Sequence, residues 1–541
     1  MDEKDAPVEA GQLWGNGSAT TVATCGWESI TVGTTANNSS VELGSLGRNQ
    51  TIRQVWDDEF SAVGSEPKKG THVIRSGLCK DIAEQSSIPS EPVSETPNRV
   101  QVWSSKLRHG PCNTYGRLFT IMIVGNVLPL LVGVILDFQE VAEIQAILEK
   151  SATICIHMAS ANAMVCTLAR SPVVINALFV VCGAIPRSSP LWLRRRLCKI
   201  FHIGGVHSGT GIAACMWTMI FVIVFAFTKP WVSPRPTFIL AMAVVVTALL
   251  IAIIVVAIPS IRRRCHDTFE MTHRFASWLT LAFLWALLLT QAYDEVVLDQ
   301  MSSIGTYLLT FPTFWFLLVS SMAAMWPWTM LRKVDVTPEY LSPHAIRLHF
   351  SHRQARWGRG LSLARHPLRD WHSFATFTDQ LDTPESKFSC LVSNAGDWTR
   401  SVIEARPTKL WIRAVPVCGL AYAMKVFSRL VVVTTGSGIG PCLSFIGYKD
   451  MPPLRVVWQS RCPLQTYGQR TLDLVKRMDP NPLIIDTSQG GRRDMLPEVL
   501  NMVRDFEAEA VIVISNPGFT EKIVYDLESK GIPAYGPIFD S

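Results

Sequence analysis

The chain has 541 residues, 48% of them hydrophobic and 17% charged, with a net charge of +6. That length calls for more than one domain, and so low a charged fraction fits a membrane protein better than a soluble enzyme. Thirteen scattered cysteines without a C-x-x-C pair argue against a zinc site or a disulfide framework, and nothing in the composition points to nucleic acid.

Residues 1–100 are rich in Ser, Thr, Asn, Gly and Glu without sustained periodicity and read as a disordered tail. The first ten residues, MDEKDAPVEA, lack an apolar core, so no cleavable signal peptide is expected. Long apolar runs follow at 118–136, 152–185, 203–228, 237–259, 273–291 and 307–328. Each comes near the ~20 residues that cross a bilayer, giving a six-span block over 115–331. The second run is interrupted at Arg170-Ser171-Pro172 and is read as one kinked helix.

Alternate loops are basic, with Arg187, Arg194, Arg195, Arg196 and Lys199 in one and Arg262, Arg263 and Arg264 in another. The intervening loops carry Asp137, Glu140 and Glu143, or Asp294, Glu295 and Asp299. The positive-inside rule then places both termini in the cytosol of a multi-pass protein, with the plasma membrane favoured over internal membranes. KIFHIGGVHSG opens span three and CHDTFEMTHRF opens span five, so His202 or His207 from one helix and His273 from the other could ligate a single haem on the cytosolic side. A second haem would need histidines 13 to 14 residues further along each helix, about four turns, and neither helix has one. The alternative is that these histidines bond to other helices or lie against headgroups.

From residue 335 the pattern changes to short β-like runs at Ala345 to Phe350, Phe388 to Val392 and Leu410 to Val417. Strands at Leu430–Thr434, Leu454–Trp458, Leu483–Asp486 and Ala510–Ser515 then alternate with helix-like stretches near 442–448, 464–477, 494–507 and 519–530. The expected architecture is a membrane α-helical bundle, a β-barrel over 335–425 and a doubly wound α/β domain over 428–541. VVVTTGSGIGPCLSFI, at 431–446, runs from a strand into a glycine-rich turn of the kind that lets backbone N–H groups approach a phosphate.

DWHSFATF at 370–377, FSCLVSNAGDWTR at 388–400 and GSGIGPCLSF at 436–445 follow the order seen in ferredoxin–NADP reductase-type flavoproteins. The set resembles the dehydrogenase domain of NADPH oxidases and ferric reductases, and TLARSPVVINALF (167–179) and FEMTHRF (269–275) resemble that superfamily's membrane half. Within it, the chain looks closest to the fungal TmpA-type transmembrane flavoproteins, which are linked to the regulation of asexual development.

The resemblance implies FAD and NADPH as cofactors. The family's His-Pro-Phe-Thr flavin motif falls on His372, Ser373, Phe374 and Ala375, with Thr376 adjacent to the lost hydroxyl. The Gly-x-x-Thr pyrophosphate turn falls on Gly396, Asp397, Trp398 and Thr399, while Ser393 replaces the usual phosphate-binding arginine. Gly436, Gly438, Gly440 and Pro441 match the dinucleotide turn, with a helix beginning near Cys442, and GGRRDML places Arg492 near a 2′-phosphate. The family's Cys-Gly-Pro appears as Ser515, Asn516 and Pro517; Phe539, or alternatively Tyr535, is the aromatic that would shield the flavin.

The function this implies is an integral membrane flavin oxidoreductase that passes electrons from NADPH to FAD and on to an unidentified small-molecule acceptor. The alternative is a non-catalytic membrane scaffold with a vestigial cofactor domain.

Overall fold

The computed structural model describes residues 107, 112–137, 144–228, 234–298, 303–351, 357–378, 388–413, 415–447 and 450–537. The expected N-terminal tail and Phe539 lie outside these residues. Residues 95–541 form one compact unit.

Five helices are long and apolar enough to cross a membrane, and a sixth candidate is the pair Ile304–Thr310 and Pro312–Thr329, bent by 79°. One expectation is corrected here. The second apolar run is two helices, Ile144–Leu168 and Pro172–Gly183, because Pro172 cannot continue the first and instead occupies the first turn of the next. The 12-residue second piece is too short to cross a bilayer by itself.

Within the helical block, Asn126 and Asn162 exchange amide hydrogen bonds at 3.1 and 2.7 Å, and the Trp217 indole donates to Asn126 Oδ1 at 2.9 Å. Amides in so apolar a block bond to each other because no water competes, and the triangle fixes the mutual rotation of three helices.

The strands are β1 Leu331–Asp335, β2 Thr337–Ser342, β3 Ala345–Phe350, β4 Arg359–Ala364, β5 His372–Ala375, β6 Phe388–Ser393, β7 Lys409–Arg413 and β8 Val417–Cys418, then β9 Leu430–Thr435, β10 Leu454–Ser460, β11 Leu483–Asp486, β12 Ala510–Ile514 and β13 Ala534–Tyr535. The first eight build two antiparallel sheets, ordered β1-β7-β4-β5 with β8 against β4, and β2-β3-β6. The last five build a parallel sheet ordered β11-β10-β9-β12-β13. The run expected to extend from Leu410 to Val417 is divided between β7 and β8, with Pro416, which lacks a ladder donor, in the gap.

Strands β9 and β12 are Val- and Ile-rich with both faces buried, as a central parallel strand covered by helices requires. Val431, Val433, Val511 and Val513 pack on one side with Val499 and Ile523, while Val432 and Ile512 join Ile439 and Leu443 on the other.

Candidate functional site

The chain leaves β9 for β10 and β11 on one side, then returns to place β12 and β13 on the other, so the sheet order reverses between β9 and β12. Open α/β sheets offer a crevice at the carboxyl ends of the two strands flanking such a point. Two of the expected segments meet there, the Gly436–Gly438 turn after β9 and Ser515–Pro517 after β12.

The turn is tied in place from below. Thr434 Oγ1 donates to Ile514 O at 2.8 Å, the hydroxyls of Thr435 and Ser515 are hydrogen-bonded across the crevice, and the buried Trp458 indole donates to Gly436 O at 3.1 Å. Gly436 has φ +47°, where a side chain is strained. Gly438 is required for another reason: a Cβ there would lie 2.3 Å from Ile514 O and 2.5 Å from Thr434 Oγ1. Strand packing by itself therefore requires glycine at this position. The Thr435–Ser515 link and the indole beneath the turn were invisible as site features in the sequence, because they join segments 80 and 22 positions apart.

The helix expected near Cys442 is a four-residue turn, Ile439–Cys442, followed by a 3₁₀ turn at Leu443–Phe445. Gly440 and Pro441 lie inside it, and so short a helix adds little dipole to an anion. The longer helix at this edge is Pro517–Ser529, whose N-cap Asn516 accepts from Phe519 N at 3.0 Å. Asn516 and Pro517 are therefore accounted for as a cap and a first-turn proline. Arg492 is exposed on the loop after β11, at the same edge of the sheet, while the neighbouring Arg493 amide donates to Gln459 Oε1 at 3.0 Å.

The second group of expected residues meets at β5. The His372 and Trp398 rings lie 4.4 Å apart, and Phe374 stacks on Trp398 at 5.7 Å. His372 Nε2 and Trp398 Nε1 are both buried without a hydrogen-bond partner among the described residues. Burial pushes the pKa of the His372 imidazole down, with Glu270 and Asp370 opposing.

Both expected threonine hydroxyls are already engaged. Thr376 Oγ1 donates to Arg359 O at 3.0 Å and is buried. Thr399 Oγ1 accepts from Ala395 N and donates to Gly396 O, both at 2.9 Å, pinning the turn from inside. Space beyond Gly396 is open, with nothing within 4 Å of where a Cβ would stand. Tyr535 is 2% exposed against Phe427, with its hydroxyl on Arg195 O at 3.4 Å, and cannot cover a flavin.

Of the three histidines expected as haem ligands, His207 and His273 come together, ring centroids 6.0 Å apart, while His202 lies tilted against Phe201 at 4.5 Å. His207 Nδ1 bonds to Cys166 O at 3.0 Å, which leaves Nε2 as its open nitrogen. No cluster of three or more His, Cys, Asp or Glu able to hold a metal ion occurs among the described residues.

A family model described as adenylate-forming reductase 03009, C-terminal domain, matches residues 420–541. Adenylate-forming reductase 03009 of Coprinopsis cinerea is 37% identical over 438 residues, covering 80% of this chain and 41% of the relative. Adenylate-forming reductase 06235 of the same organism is 36% identical over 485 residues, covering 89% of this chain and 45% of the relative. The chain thus spans less than half the length of these curated relatives. A match over four-fifths of the chain has to run through its middle, so the likeness takes in apolar helices as well as strands.

Among solved structures, the ferredoxin reductase in carbazole 1,9a-dioxygenase is 14% identical with a TM-score of 0.29, covering 39% of this chain and 70% of that one. Ferredoxin–NADP+ reductase from Plasmodium falciparum with 2′P-AMP is 10% identical with a TM-score of 0.28, covering 38% and 94%.

These relatives correct the sequence reading. The chain is similar to adenylate-forming reductases, which overturns the assignment to the ferric reductases, NADPH oxidases and TmpA-type flavoproteins. With it fall the integral membrane flavin oxidoreductase feeding an unidentified acceptor and the non-catalytic scaffold that stood as its alternative.

Proposed function

We propose that this chain is an oxidoreductase that uses a nicotinamide dinucleotide, forming the reductase portion of a protein of the adenylate-forming reductase kind. The observation that carries this is the meeting of Gly436–Gly438 and Ser515–Pro517 at the reversal of a five-stranded parallel sheet. The dinucleotide would lie along that edge. The backbone of Gly436 and Ser437 would bound its pyrophosphate, the Thr435–Ser515 hydroxyl pair would flank the reacting ring, and exposed Arg492 would meet a 2′-phosphate and favour NADPH.

A flavin is the second cofactor in this reading, and the residues at β5 fit one. His372 Nε2 and Trp398 Nε1 are buried nitrogens that lack partners, and a ligand acceptor would supply them. His372, Phe374 and Trp398 would hold the ring system, and the open face at Gly396 would admit the phosphates. When bound, the flavin supplies hydride chemistry, while the protein positions it and keeps water away.

The test is titration of the purified chain in detergent with NADPH and with NADH, followed by nucleotide fluorescence. Saturable binding of NADPH, weakened about tenfold in Arg492→Gln with NADH little changed, is expected from loss of one charge-assisted contact. Absence of saturable binding of either nucleotide to folded protein would falsify the proposal.

A further inference from the structure

A cavity of about 1270 Å³ lies between the ends of apolar helices and the outer face of the parallel-sheet lobe. Arg117, Arg195, Arg196, Lys199, Arg262 and Arg263 line it from the helical side. The facing wall is the helix Pro517–Ser529 and β13, which contribute Glu521 and Glu528. Six cations against two carboxylates leave an excess of four positive charges, and Glu528 is already taken by Lys199 at 3.2 Å.

Two of these cations are held by groups that do not neutralise them. The Arg196 guanidinium lies 5.5 Å over the Trp192 ring, and Arg117 Nε donates to the Cys112 carbonyl at 2.7 Å. Stacking on a ring face leaves a guanidinium's N–H edge available to an acceptor. Two nitrogens of lining residues, Arg195 Nε and His202 Nδ1, are moreover buried with no hydrogen-bond partner among the described residues. Like charges gathered in one cavity beside an unmet buried guanidinium donor are costly unless an anion enters.

We propose that this cavity is a binding site for a phosphorylated anion carrying two or more negative charges, either a lipid headgroup or a soluble phosphate ester. Phosphate oxygens match the guanidinium forks in geometry and charge. The cations come from chain at the ends of three apolar helices, Thr114–Asp137, Gly204–Thr228 and Pro234–Ala257, where a headgroup would lie if those helices are embedded. The site is separate from the dinucleotide turn, since Gly436 to Gly438 do not line it. It touches Pro517, next to the Asn516 cap, so an occupant would bear on the helix that closes the dinucleotide edge. Binding at the cavity does not depend on the reading of that edge.

The test uses the full chain in nanodiscs. One arm adds soluble inositol 1,4,5-trisphosphate to phosphatidylcholine discs. The other compares discs containing phosphatidylinositol 4,5-bisphosphate with discs containing phosphatidylserine at matched charge; thermal unfolding and affinity are read in both. Saturable binding is expected in at least one arm, and which arm responds identifies the source. Arg196→Gln/Arg263→Gln, at two exposed positions, is expected to weaken it about tenfold or more, with Arg196→Lys/Arg263→Lys recovering part of the loss. No saturable binding of the soluble trisphosphate together with no preference for phosphatidylinositol 4,5-bisphosphate over phosphatidylserine, or unchanged affinity in the Gln variant at an unchanged melting temperature, would each overturn the proposal. Should that variant fail to fold, wild-type affinity that does not fall with rising salt would overturn it equally.

Discussion

Arg194 grips Glu509 with both ends of its guanidinium, Nη1 to Oε2 at 2.6 Å and Nη2 to Oε1 at 3.0 Å, joining residues 315 positions apart. Arg194 also donates to Ser189 O and Val426 O, and Glu509 also accepts from the Ser428 amide. One basic-loop arginine, counted in the sequence only as a topological charge, therefore clamps the helical block to the parallel-sheet lobe.

Replacing Arg194 with Met should cost about 3 kcal/mol, because it leaves Glu509 partly buried and unpaired. Burial pulls the Glu509 carboxyl upward, but Arg194 and the Ser428 amide outweigh it and hold it below the usual range. A depressed carboxylate stabilises the fold fully above its unfolded pKa, and that contribution fades as the pH falls through the folded value. The melting temperature of wild type should thus fall more steeply than that of Arg194→Met on acidification below the ordinary carboxylate range. Parallel melting curves would count against the clamp.

Gly436 and Gly438 should respond differently to alanine. Gly438→Ala drives a Cβ against Ile514 O and Thr434 Oγ1, so it should lower stability by about 1–3 kcal/mol. Gly436→Ala meets only ordinary contact, 3.9 Å from the Tyr467 hydroxyl, but a left-handed φ, costing about 1 kcal/mol, and should alter dinucleotide affinity more than stability. Denaturant unfolding beside nucleotide titration separates the two, and equal effects of both variants on both readouts would contradict the assigned roles.

His372→Phe and Trp398→Phe each remove an unpartnered buried nitrogen. In protein stripped of cofactor, the change should be neutral or stabilising by up to about 1 kcal/mol, since an unmet donor is lost. Flavin retained on purification, measured by absorbance, should drop in both variants. Retention equal to wild type would place the flavin elsewhere.

His207 and His273, with ring centroids 6.0 Å apart, are the pair that a single haem would require, with Nε2 of His207 facing it. A reduced-minus-oxidised spectrum tests this, with His207→Ala and His273→Ala expected to abolish any haem band and His202→Ala to leave it. Complete absence of a band in wild type would show that these rings pack on each other for structure alone.

The apolar runs marked the helices because no other use of so many consecutive apolar residues is stable, and Pro172 marked a boundary that was misread as a kink. Runs such as Leu430–Thr435 and Ala510–Ile514 were legible as buried strands, since β-branched residues on both faces suit only a covered sheet. The backbone partners of the Thr376 and Thr399 hydroxyls were not legible in the sequence, because residue type does not disclose which neighbouring group a hydroxyl meets. The shortness of the helix after Gly438 escaped for a related reason, as its end is set by packing around Leu443 and Phe445.

By itself the sequence determined the order of parts, an apolar helical block, an antiparallel region and a parallel α/β sheet, because hydrophobic period and turn chemistry are local properties. Only the tertiary structure decided which residues share a site. Thr435 with Ser515, His372 with Trp398, Arg194 with Glu509 and the six cations of the cavity are brought together by chain crossings of tens to hundreds of residues, over which local pattern carries no information about contact.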